Sequence, residues 1–175
     1  MFNNIPVITI EEHYWDRELF SKVTGQEGIR GDDLLKRLYD LGELRLREMD
    51  EAGVDMQVLS LGAPGAQKLK ADIANDVAKG ANDRLAEAVA RHPTRFAAFA
   101  SLPTPVPEAA ALELERCVKH LGFKGAMIHG LANGTFVDDR RFWPIYERAQ
   151  ALDVPIYIHP AVPHPAVSSC GKSFR

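Results

Sequence analysis

Five short runs dense in apolar residues punctuate the chain, at 7–13 (VITIEEH), 56–61 (MQVLSL), 96–102 (FAAFASL), 123–129 (FKGAMIH) and 154–159 (VPIYIH). Each is apolar on both faces or nearly so. That pattern suits strands buried in a parallel sheet better than a solvated antiparallel sheet, whose outer face would be polar. Between the runs the period lengthens to that of a helix. Leu34, Leu35, Leu38 and Tyr39 follow Asp32, an N-cap residue type, and a second stretch through Met49 and Ala52 stops at Gly53, a natural helix end. Leu69, Ile73, Val77, Ala81, Leu85 and Val89 recur four apart and predict one long amphipathic helix. A further helix opens at Pro107, buries Ala110, Leu114, Cys117, Val118 and Leu121, and ends at Gly122. The last places Phe142, Ile145, Tyr146, Ala149 and Leu152 on one face, with Pro144 near its start.

Strict alternation of strand and helix, with a repeat of roughly 30 to 40 residues, implies right-handed βαβ units and a parallel sheet. An open doubly wound sheet and part of a (β/α)8 barrel both fit. A dinucleotide-binding open sheet would carry a Gly-rich phosphate loop after its first strand. Here that position holds Glu11-Glu12-His13-Tyr14-Trp15, whose carboxylates would repel a phosphate, so the barrel is favoured. The expected fold is therefore α/β, of the (β/α)8 TIM-barrel type, with the first five strands and four helices forming one partial domain over residues 1–175. A complete barrel takes ~250 residues. The segment 160–175 (PAVPHPAVSSCGKSFR) reads as loop, which leaves the fifth strand as an apolar edge. Two readings follow: a truncated product, which is favoured, or partial barrels that associate as a homo-oligomer to cover one another's edges.

Residues two apart in a strand face the same side, so Glu11 and His13 point together while Glu12 points away. Both stand at the C-terminal end of the first strand, where barrels build their active sites, and His159 ends the fifth strand in the same way. In a closed eight-stranded barrel the first and fifth strands lie opposite, so these side chains can converge on one ion. Two imidazoles and a carboxylate with an open position suit Zn²⁺, with Mn²⁺ or Fe²⁺ also accepted. Each motif alone has a plainer reading as a hydrogen-bonded strand end; their joint placement favours the metal. His129, at the end of the fourth strand, is a candidate catalytic residue, for a substrate carboxylate or for proton transfer, with a half-buried loop histidine as the alternative. Trp15 and His164 are candidates for substrate contact, against plainer readings as packing under the first loop and as a residue of a proline-rich loop. His92 and His120 fall at helix C-termini, where an imidazolium is favoured by the helix dipole, and read as structural. Asp138, Asp139, Arg140 and Arg141 read as a solvated helix start.

Composition narrows the partners. The 175 residues are 46% apolar and 26% charged with a net charge of -3, the profile of a globular protein without a basic stripe for nucleic acid. No apolar run approaches the ~20 residues of a membrane span, and the N-terminus has no signal-like pattern, so a cytoplasmic protein is expected. Cys117 and Cys170 show no metal or redox spacing and read as a core thiol and a loop thiol.

Taken together, ITIEEH at 8–13, RFAAFASLP at 95–103, LGFKGA at 121–126 and DVPIYIHP at 153–160 make the chain resemble the amidohydrolase-related decarboxylases, in particular the hydroxybenzoate (resorcylate) branch. The Glu-Glu-His opening is similar to that branch, since many relatives have His-x-His there. The resemblance spans nearly the whole chain. It implies a non-oxidative decarboxylase of a small carboxylic acid, with one divalent metal held by Glu11, His13, His159 and an aspartate after the eighth strand. That aspartate, and a histidine expected after the sixth strand, are not in this sequence. Hydrolysis of a lactone, ester or amide by the same ion, and a catalytically silent fragment, are the alternative expectations.

Overall fold

The computed structural model describes residues 5–23 and 31–161. Strands and helices alternate: β1 (Ile8–Tyr14), α1 (Arg17–Lys22), α2 (Asp32–Tyr39), α3 (Glu43–Ala52), β2 (Met56–Leu61), α4 (Ala71–Arg91), β3 (Phe96–Ala98), β4 (Ala100–Ser101), α5 (Pro107–Leu121), β5 (Ala126–His129), α6 (Trp143–Leu152) and β6 (Ile156–His159). The strand pairs β1·β2, β2·β3, β4·β5 and β5·β6 are all parallel.

The third sequence run is one extended segment that changes partner at Phe99. Its first half, β3, pairs with β2, and Phe99 N–H still donates to the Leu59 carbonyl; from Ala100 on the segment donates to Gly125 and pairs with β5. The order β1, β2, β3/β4, β5, β6 is thus a single arc, and the change of partner is the stagger that tilted barrel strands require. The fourth strand begins at Ala126 rather than 123, because Gly125 brings the chain hard against the next strand. A Cβ built there would lie 2.3 Å from the Pro155 carbonyl oxygen.

Two apolar layers form on the two faces of the arc. The larger joins strand residues such as Leu59, Phe96 and Ala98 to Leu85 of α4, Leu114 and Cys117 of α5 and Ile145 of α6. Each such large side chain contributes about 1.5–3 kcal/mol by leaving water. On the other face Val58, Ala97, Phe99 and Met127 form a smaller cluster with Tyr157. In α4 the most buried stripe is Ala74, Ala78, Ala81, Leu85 and Ala88, with Ile73, Val77 and Val89 only partly buried. This shifts the stripe the sequence predicts: small side chains let the helix lie close to the sheet, and the larger ones flank the contact.

Two short elements escape the sequence reading. Asp16 caps α1 by accepting from Leu19 N–H at 2.8 Å, and Gly65–Lys68 form a 3-10 turn after β2. Gly53 and Gly122 end α3 and α5 in the left-handed conformation, as expected. β1 and β6 are end strands among the described residues, and Ile8 (53%), Ile10 (50%) and Ile158 (56%) are exposed there, in agreement with the apolar edge anticipated for the fifth strand. No helix among the described residues is long and apolar enough to cross a membrane.

Candidate metal centre

The ends of β1, β2, β5 and β6 meet at one rim of the arc. The alternation that sends Val58, Met127 and Tyr157 to the inner cluster places Ser60, His129 and His159 above them, two residues on. β1 reaches the same layer through a bulge: its register with β2 slips by one residue between Thr9 and Glu12. Bulges bend a strand and re-aim side chains at barrel rims. Glu11 and His13 both face the inner side, and their ligand atoms and that of His159 all lie within 4.8 Å of one another.

His159 Nε2 is 2.9 Å from Glu11 Oε1 and 3.2 Å from His13 Nε2. His159 Nδ1 lies against the Pro160 carbonyl, which can only accept, so Nδ1 carries a proton, and in the neutral ring Nε2 offers a lone pair. That lone pair then faces a carboxylate oxygen, an acceptor beside an acceptor. A positive charge between them, proton or cation, removes the repulsion. The 3.2 Å separation of the two imidazole nitrogens is that of ligands sharing one ion at about 2.0–2.1 Å each. The donor set therefore fits a divalent cation.

Protonation states agree with that fit. A hydrogen bond from the Tyr157 hydroxyl, above all, holds the Glu11 carboxyl below its ordinary range. Burial, with the neighbouring His159, pushes the His13 imidazole down. An ionised carboxylate and a neutral imidazole are the forms that bind metal. His13 Nδ1 meets Ser60 Oγ at 3.0 Å, and Arg45, 8% exposed, donates to the His13 carbonyl at 2.8 Å. Arg45 also donates to Gln57, whose amide donates to Glu12 on the opposite side of the strand.

His129 is buried rather than half-buried. Its ring centroid is 5.0 Å from that of His159 and 5.6 Å from that of His13, and its Nε2 meets the Leu61 carbonyl at 2.7 Å. Burial pushes its pKa down to about 4. Its Nδ1 is buried without a hydrogen-bond partner. Trp15 is not one of the three converging side chains: it is 6% exposed and stacks on Phe20 of α1 at 3.9 Å. His164 and Cys170 lie outside the described residues. Ser60, Arg45 and Tyr157 are the contributors that sequence reasoning missed. Only Tyr157 carried a signal, its place two residues before His159.

The sequence profile described as Amidohydrolase matches residues 8–172. The chain belongs to the amidohydrolase family. Within the curated proteins this amidohydrolase chain is 44% identical to gamma-resorcylate decarboxylase of Polaromonas sp. over 167 residues, 91% of this chain and 51% of that protein. It is similar to the crystal structure of dihydroxybenzoic acid decarboxylase from Polaromonas sp. with bound manganese and the inhibitor 2-nitroresorcinol, at 42% identity and a TM-score of 0.84, covering 97% of this chain and 53% of that one. It is also similar to 2,6-dihydroxybenzoate decarboxylase from Rhizobium, at 36% identity and a TM-score of 0.85, covering 97% and 54%. The amidohydrolase chain spans about half the length of the curated relatives it matches. Its five strand positions are the first five of a TIM-barrel type of fold.

Proposed function

We propose that this chain contributes the metal-holding strands of a non-oxidative decarboxylase acting on a small hydroxylated aromatic acid, with Glu11, His13 and His159 holding one divalent cation. The observation that carries the proposal is the convergence of a carboxylate and two imidazoles, from opposite ends of the chain, with a carboxylate oxygen 2.9 Å from an imidazole nitrogen. The decarboxylase assignment rests on the resorcylate and dihydroxybenzoate relatives. Manganese in a solved relative favours Mn²⁺ over the Zn²⁺ that the donor set alone suggests, though both accept two imidazoles and a carboxylate. When bound, the cation supplies Lewis acidity and a template for the substrate carboxylate and an adjacent hydroxyl.

His129 takes the proton-handling role of the two considered for it. Its Nε2–H is given to the Leu61 carbonyl, so the side it has left is the Nδ1 lone pair. A lone pair repels a carboxylate, and burial keeps the ring neutral, so the pair is free to take up a proton transiently during reaction. Trp15 is left to packing, because its ring is buried and one face is covered by Phe20.

The test is metal analysis of the purified chain after stripping with EDTA and reloading with Mn²⁺ or Zn²⁺, followed by 2,6-dihydroxybenzoate and measurement of CO₂. Near-stoichiometric metal in the parent, lost in Glu11→Ala and His159→Ala, with CO₂ release, supports the proposal. No bound metal in the parent overturns the centre. Metal binding with acid released from a lactone, and no CO₂, replaces the decarboxylase with a hydrolase.

A further inference from the structure

We infer that Gln67 is a positioning residue for His129, holding its main chain on the side where no strand reaches it. The inference rests on the proton-handling role proposed for His129. Gln67 belongs to the 3-10 turn between β2 and α4, is 3% exposed and is not part of the three-ligand cluster. Its carboxamide makes a closed pair of hydrogen bonds with one residue: Nε2 donates to the His129 carbonyl at 2.6 Å, and Oε1 accepts the His129 N–H at 3.0 Å. The barrel geometry explains why a side chain is needed there. On one side β5 pairs with β6 up to His129↔His159, but on the other β4 stops at Ser101, opposite Met127. The main chain of His129 thus rises above the end of β4, and its peptide groups would be buried and unsatisfied without the carboxamide.

A second buried carboxamide uses the same device one strand earlier. Asn82 accepts from Ser101 N–H at 2.9 Å and donates to Ser101 O at 3.0 Å. What distinguishes Gln67 is the residue it grips. The main chain of His129 is held by β6 and Gln67, and its ring by the Leu61 carbonyl, so one tautomer is fixed with Nδ1 buried and unpartnered beside His13 and His159. Gly65 closes the turn against both partners: a Cβ there would stand 3.1 Å from Gln67 Oε1 and 3.4 Å from the His129 ring. Removing the clip releases the strand end, and with it the angle at which the imidazole meets the Leu61 carbonyl.

The experiment reads the His129 imidazole by long-range ¹H–¹⁵N correlation in the labelled, metal-free 175-residue chain, as parent, Gln67→Met and Gln67→Glu. Methionine keeps the length of the side chain and removes both hydrogen bonds; glutamate keeps the acceptor and removes the donor. The parent is expected to show a single Nε2–H tautomer, Gln67→Met exchange between tautomers, and Gln67→Glu an intermediate state, while Mn²⁺ affinity stays within about threefold because no ligand has been touched. A parent with mixed tautomers overturns the inference, as does a Gln67→Met spectrum in which His129 is unchanged. A fall in Mn²⁺ affinity parallel to the change at His129 also overturns it, since Gln67 would then support the whole rim. Should Gln67→Met fail to fold, hydrogen exchange in the parent and in Gln67→Glu decides: faster exchange of His129 N–H in the variant supports the clip, and equal exchange refutes it. A parent that binds no metal while the tautomer responds as expected removes the proposed centre and leaves the Gln67–His129 link standing.

Discussion

Glu113 and Glu11 are both carboxylates surrounded by nitrogen-bearing side chains, and their surroundings are opposite in kind. Glu113, on α5, is 1% exposed, and its oxygens receive hydrogen bonds from Asn82 at 2.7 Å, from two nitrogens of Arg116 at 2.8 Å each and from the Cys117 thiol at 3.2 Å. Every neighbour is a donor, and Arg116 is further anchored by Asp83. Burial, reinforced by Glu113, pushes the Cys117 thiol up, so it stays protonated and serves as one of those donors. Glu11 is half exposed, and apart from the Tyr157 hydroxyl its near neighbour is the Nε2 of His159. A carboxylate already filled with donors ties helices together; one that is half exposed beside two imidazoles has electron pairs to spare for a cation. The side-chain types overlap, and what differs is how far each carboxylate is saturated with donors.

The comparison can be broken at four points. The largest effect is expected at Glu113: Glu113→Ala removes the buried acceptor shared by Arg116, Asn82 and Cys117 and lowers stability by about 3–5 kcal/mol in urea denaturation. Mn²⁺ affinity per folded chain should not change; a large loss would mean that the two clusters are one. Next, Mn²⁺ at about 100 times its Kd should stabilise the chain by about 2.7 kcal/mol, and EDTA should reverse this. Glu11→Ala should abolish that gain while moving metal-free stability by no more than about 0.5 kcal/mol, as for an exposed site. If the metal-free chain were strongly destabilised instead, Glu11 would be structural like Glu113. Ser60→Ala, which removes the partner of His13 Nδ1, should weaken Mn²⁺ binding by about tenfold in calorimetry. Tyr157→Phe should give the smallest change, about twofold in affinity, since its hydroxyl reaches only the outer oxygen of an exposed carboxylate.

Much of the centre was legible because it follows local rules. Glu11 and His13 share a face by strand alternation, and His159 ends a run whose apolar pattern marks it as a strand. The bulge between Thr9 and Glu12 was not legible: it is a mismatch with β2, and no property of β1 alone announces it. Asn82 and Glu113 were equally hidden. A polar residue on a helix reads as solvated, and only the approach of α4 to α5 and β4 turned these two into buried, mutually satisfied groups. Gln67 lies in a turn too short to have a period. Trp15 shows the converse, an aromatic beside a ligand clip that the fold placed against Phe20.

By itself the sequence determined the strand–helix alternation, the parallel arrangement and which three side chains converge at one rim, because hydrophobic period and strand-end position are properties of neighbours along the chain. Tertiary structure decided how those side chains face one another, that His129 Nδ1 is buried without a hydrogen-bond partner, and which carboxylate is already satisfied. These depend on distances between residues as much as 148 positions apart, as between Glu11 and His159, and such distances exist only once the strands are in register.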